Sequence, residues 1–158
     1  MLEILFVDSR TAIQYCLVAT LAVFAWLRGD QPERQIAAVF LSAIFFEALH
    51  PLLWPHPPAD EFNYLHAAID GAMFLGFAHV AMRANRMYPL WLLALQLIAA
   101  LQHFQRLALV DMDPVAYWAM VRLPFYLQML VFAIGLAAHR RRVRRGIHTE
   151  SWRNTSHR

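Results

Sequence analysis

Residues 61–82 read EFNYLHAAIDGAMFLGFAHVAM, an apolar stretch that nevertheless carries His66, Asp70 and His79. About 20 helical residues, each rising 1.5 Å, cross a hydrocarbon layer roughly 30 Å thick, so the stretch predicts a transmembrane helix with Asp60 as its candidate N-cap. Four further segments of similar length lie at about residues 11–27, 35–54, 88–110 and 115–138. Asp8 and Ser9 stand as candidate caps before the first of these, and Arg28, Gly29 and Asp30 close it. Pro89 falls in the first turn of the fourth, and Asp113 and Pro114 precede the fifth.

Composition points the same way. Of the 158 residues 59% are hydrophobic and 16% charged, against about 25% charged in a soluble domain, which argues against both a soluble and a disordered chain. Every one of the 14 cations is arginine and none is lysine, a usage typical of a GC-rich bacterial genome. The one cysteine, Cys16, lies in an apolar stretch and has no partner for an intrachain disulfide. Residues 2–7 are apolar but flanked by Glu3 and Asp8, with no basic start and no small-residue cleavage site, so they do not read as a removable signal peptide. The expected fold is all-α: an integral membrane bundle of five transmembrane helices over residues 1–138, followed by a basic tail at 139–158.

Arginine sets the expected orientation, because positively charged connections stay in the cytoplasm. Alternating five crossings puts Arg28, Arg34, Arg83, Arg86 and the run Arg140, Arg141, Arg142, Arg144 and Arg145 on one side, and the neutral to acidic connections on the other. The N-terminus is then outside and the C-terminus inside, in a bacterial inner membrane. Trp54, Tyr64, Tyr88, Trp91, Tyr117 and Trp118 fall near the ends of the segments, where amphipathic rings prefer to sit. The arginine run reads as a topology determinant and a binder of anionic lipid headgroups, and not as a nucleic-acid site, since Trp152 is the only aromatic beside it. Beyond Gly146 the tail is polar and expected to be mobile.

Ionisable groups cost at least about 2.5 to 3.5 kcal/mol each in mid-membrane, yet several survive here. Glu47, His50, His66, Asp70, His103, Arg106 and Arg122 come from four segments and fall in one layer, roughly 5 to 15 Å inside the outer boundary. Spacing puts Glu47 with His50, His66 with Asp70, and Gln96 with His103 and Arg106 on common helical faces. Ala68, Ala72 and Gly76 form a small-residue stripe that lets a neighbour approach closely, and the third segment is also the most polar, so it is expected at the buried centre of the bundle. Pro51 predicts a kink or an end in the second helix near His50.

Two arrangements fit this layer. In one, Glu47 and Asp70 pair with Arg106 and Arg122 while the histidines and Gln96 complete hydrogen bonds, fixing the packing without chemistry. In the other, Glu47, His50, His66, Asp70 and His103 hold a metal, for which carboxylate and imidazole ligands suit zinc, iron or manganese. Bis-histidine haem would need His50 or His66 with His103, and no attachment motif is present. Hydrolase, phosphate-loop and dinucleotide motifs are also missing, so enzymatic activity is left open. A proton or ion path lacks a polar stripe beyond His79. The favoured expectation is a small non-catalytic accessory or interaction subunit whose partners are membrane lipids and other membrane subunits. The alternative is a metal-binding membrane enzyme or redox carrier.

Overall fold

Five helices, α1 (Leu2–Arg28), α2 (Gln31–Leu53), α3 (Tyr64–Arg83), α4 (Tyr88–Ala108) and α5 (Pro114–Arg144), follow one another along the chain. The computed structural model describes residues 2–53, 64–108, 114–146 and 151–152, with side chains described over 11–50, 64–103, 122–146 and 151–152. Among the described residues there is no strand, only an isolated antiparallel bridge between Ala84 and Trp152.

Local chemistry explains the sharp turns. The Gly29 N–H closes α1 on the Ala25 carbonyl at 2.8 Å. Asp30 then precedes α2, and its backbone N–H donates to Glu33 Oε2 at 3.1 Å, the return half of a capping box. Pro32, in the first turn of α2, forfeits only an N–H that would have had no intrahelical acceptor. Three boundaries differ from the sequence expectation. The first helix starts at Leu2, so Asp8 and Ser9 lie within it and not before it. α2 continues two residues beyond Pro51 to Leu53. α5 runs through the arginines to Arg144, with Gly146 at φ 68° just after it, the left-handed conformation glycine tolerates best.

Among the described residues, three stretches are long and apolar enough to cross a membrane, Thr11–Arg28, Tyr64–Arg83 and Arg122–Arg144. The helices pack in chain order, α1 on α2, α2 on α3, α3 on α4 and α4 on α5, and α1 also meets α5. α3 is therefore one member of a ring, with Leu75 and Met82 facing outward, and not the enclosed centre its polar residues had implied. Of the expected small-residue stripe, Gly76 serves close packing: a Cβ there would lie 2.7 Å from Val39 of α2. Ala68 and Ala72 are exposed. Gly135 of α5 works the same way against the Tyr88 ring, also at 2.7 Å from an added Cβ.

Large apolar side chains stand on the outer surface, and several polar groups lie inside beside the apolar core. Ile13, Val23, Phe45, Leu75, Leu97, Ile98, Leu130 and Ile134 face outward from the five helices, while Glu33, Arg86, Gln96, Gln128 and His139 are buried. At the centre Phe40 meets Phe77 with ring centroids 5.1 Å apart and Phe132 at 5.8 Å, all three rings closed off from solvent.

Candidate functional site

Among the described residues, the interior carries two polar networks. The first lies where the α1–α2 turn, the α3–α4 turn and the end of α5 come together. Arg86, whose side chain is 2% exposed, donates from Nη2 to Asp30 Oδ2 at 2.9 Å, and its Nε faces Glu33 Oε1 at 3.4 Å. Its Nη1 lies 2.9 Å from His139 Nδ1. Since a guanidinium can only donate, His139 accepts at Nδ1 and, as a neutral ring, carries its proton on Nε2. The Tyr88 hydroxyl donates to Glu33 Oε1 at 3.2 Å. Residues 151–152, expected in a mobile tail, dock onto this junction: Ser151 Oγ donates to Asp30 Oδ2 at 2.8 Å, Trp152 Nε1 donates to Gln31 Oε1 at 2.7 Å, and the Asn85 N–H donates to the Ser151 carbonyl at 3.2 Å.

Asp30, Glu33 and His139 are, among the described residues, the one set of three ligand-type groups whose atoms lie within 4.8 Å of one another. Arg86 sits among the same three side chains, and its delocalised charge already answers both carboxylates. A divalent ion there would have to displace it, so the set reads as an arginine-centred clasp.

The second network joins α3, α4 and α5. Gln96, 1% exposed, donates from Nε2 to the Asp70 carbonyl at 3.1 Å and to Asp70 Oδ1 at 2.9 Å. Its own Oε1 accepts from Gln128 Nε2 at 2.7 Å. His103 Nε2 lies 2.8 Å from Asp70 Oδ2, where an ionised carboxylate can only accept, so the imidazole donates. Toward the same end, Glu47 Oε1 lies 3.9 Å from His66 Nε2, and the His50 and His66 rings meet edge-on at 6.2 Å. Arg122 and Asp70 lie within electrostatic reach of Glu47.

Among the described residues, contacts within the expected layer join Asp70 with His103 and Glu47 with His66, the latter beside His50. The side chain of Arg106 falls outside the described residues. Arg122 is half-buried, and His79 is exposed on α3. Of the arginine run, Arg141, Arg144 and Arg145 are exposed, Arg140 lies over the Phe24 ring at 5.6 Å, and Arg142 Nε donates to the Ala138 carbonyl at 3.4 Å.

Between the networks lies an apolar septum. Phe40 is seven residues from Glu33 and seven from Glu47, and Phe77 is seven from Asp70 and seven from Ala84. That spacing places the ring layer about 10 Å along the helices from each network. Phe132, between Gln128 and His139 on α5, and the fully buried Leu92, between Arg86 and Gln96 on α4, complete it.

Sequence reasoning missed the clasp. Asp30 entered the sequence reading only as a residue closing the first segment, Arg86 only as a mark of orientation and Glu33 not at all, although Asp30-x-x-Glu33 is a legible capping box. Gln128, uncharged and inside an apolar run, gave no signal of its role. The chain matches no protein-family model, no curated protein and no solved structure.

Proposed function

We propose that this chain is a five-crossing protein of a bacterial inner membrane, N-terminus outside and C-terminus inside, acting as a non-catalytic accessory or interaction subunit. α2 and α4 have 23 and 21 residues. At 1.5 Å per residue they reach about 30 Å or slightly more, the thickness of the hydrocarbon layer. They also turn Leu41, Phe45, Phe46, Leu97, Ile98 and Leu101 outward, as the other three helices do with their apolar residues. The turns at Gly29 and at 84–87 and the end of α5 meet through the Arg86 clasp, which agrees with an odd number of crossings and an arginine-rich inner face.

The observation that carries the subunit reading is the Glu47–His66 pair, with side chains 42% and 44% exposed at membrane depth beside the outward Phe45 and Phe46. Ionisable groups facing lipid are costly, so a polar seam in an apolar surface favours a neighbouring helix as its cover. The buried groups favour the same reading: carboxylates are paired with arginine, histidine or glutamine inside the chain, and the phenylalanine septum separates the two networks. Purification of the tagged chain from its host in mild detergent tests this. A partner at one-to-one stoichiometry, lost in Glu47→Leu, is expected. A chain that purifies alone and unchanged in both forms overturns it.

A second reading rests on the Glu47–His66 contact beside His50, which offers one carboxylate and two imidazoles for zinc, iron or manganese once their ligand atoms draw closer than they stand. Elemental analysis of the purified chain and of His66→Ala separates the two. Stoichiometric metal in the first and none in the second favours a metal-binding enzyme or redox carrier over the subunit.

A further inference from the structure

An open groove of about 400 Å³ runs between α1 and α5. Its floor is apolar, formed by Leu21 and Phe24 on one side and Ala133, Leu136 and Ala137 on the other, and Arg140, Arg141 and Arg144 stand at one end. The two helices run in the same direction. The level of Arg140 is fixed by its guanidinium, 5.6 Å above the Phe24 ring, four residues before the end of α1 at Arg28. From there the floor continues toward Thr20 and Ala133, deeper along both helices.

We infer that this groove holds one anionic phospholipid, with its phosphate at Arg140, Arg141 and Arg144 and an acyl chain along the apolar floor. This goes beyond the diffuse attraction of a basic run for a charged surface, because it requires both halves of the site at once. Three observations converge on that occupant. The volume lies within the range of about 300–1,000 Å³ typical of small-ligand sites. The small side chains of Ala133 and Ala137 open the floor where larger residues would close it, and it faces outward, where lipid would stand. No carboxylate lines the groove, and the nearby acids Asp30 and Glu33 are engaged by Arg86, Ser151 and Tyr88, so three cations converge without a protein counter-charge among the lining residues. Arginine also suits a phosphate, which its planar fork can grip with two parallel hydrogen bonds.

Native mass spectrometry of the full chain in detergent, titrated with phosphatidylglycerol or phosphatidylcholine of the same acyl chains, tests the assignment. Phosphatidylglycerol is expected to be retained at one per chain and phosphatidylcholine far more weakly. Replacing Arg140, Arg141 and Arg144 together by glutamine should weaken retention by at least about tenfold. The same loss of charge at Arg28, Arg34 and Arg83 should leave it within about twofold of the wild type, if contact and not net charge governs binding. Ala133→Trp, which fills the floor and leaves every charge in place, should also reduce retention, with thermal unfolding confirming that each variant is folded. Equal loss in the two triple variants means diffuse surface charge and overturns the proposal. So does unchanged binding in Ala133→Trp, or displacement of the lipid by millimolar inorganic phosphate, which would mean a headgroup site without an acyl groove.

Discussion

Arg86→Met is the perturbation that most sharply probes the inner clasp. The side chain is almost wholly enclosed and makes three polar contacts, to Asp30 at 2.9 Å, His139 at 2.9 Å and Glu33 at 3.4 Å. Methionine keeps much of the aliphatic volume and removes the charge, leaving Glu33, itself 0% exposed, without its cation. Breaking a buried pair on one side costs about 3–5 kcal/mol, more than either contact contributes net, because the remaining charge is stranded. For a chain of this length that corresponds to a fall in Tm on the order of 10 °C, readable by tryptophan fluorescence in detergent. The second half of the test is Glu33→Gln, alone and combined with Arg86→Met. If the loss comes from a stranded carboxylate, the double variant should be more stable than the sum of the singles implies, by at least about 1 kcal/mol. Additive losses, or a Tm for Arg86→Met within about 2 °C of the wild type, would refute the clasp.

Three further outcomes follow from the packing. Gln96→Leu should destabilise the chain by about 1–3 kcal/mol, since it strands Gln128 in the interior and leaves Asp70 only its contact with His103, and Gln128→Leu added to it should recover part of the loss, both read as shifts in Tm. Phe40→Ala removes the ring shared by Phe77 and Phe132 and should cost about 3–5 kcal/mol through the cavity it leaves, while Phe40→Leu should cost clearly less in the same melt. Gly135→Val should lower Tm because its side chain would enter the Tyr88 ring, and Tyr88→Ala in the same chain should relieve that clash; equal melting of Gly135→Val and wild type would contradict the close approach of α4 and α5.

In the second network, the contacts of Asp70 follow from the spacing of residues in the sequence. Gln96 and His103 are seven residues apart, two turns of one helix, so a single carboxylate at matching depth can meet both, and Asp70 does. Periodicity and depth suffice there because the groups lie within the helices and not at their ends. The inner clasp resists the same reasoning. Arg86 and Asp30 are 56 positions apart, and their pairing depends on which helix ends the packing brings together, which a count of charges at helix ends does not reveal. Tail residues 151–152 pose the same difficulty, since their docking depends on a surface assembled from two separate turns. Gln128 escaped because a search for intramembrane charge overlooks a neutral amide, though an amide with an unmet hydrogen bond is also costly in an apolar interior. Hydrophobic length located the helices, but composition could not order the ring, and polarity alone wrongly pulled α3 to its centre.

The proposed topology places the turns at Gly29 and at 84–87 and the end of α5 on the cytoplasmic face, with residues 54–63 on the other. Single cysteines at Asp60, Asn85 and Arg145, each in a Cys16→Ser background, can be probed with a membrane-impermeant maleimide on intact spheroplasts and again after permeabilisation. Asp60→Cys is expected to label at once, and Asn85→Cys and Arg145→Cys only once the membrane is opened. Labelling of Asn85→Cys from outside, or opposite sidedness of Asn85→Cys and Arg145→Cys, would contradict a five-crossing bundle closed by Arg86 at its inner end.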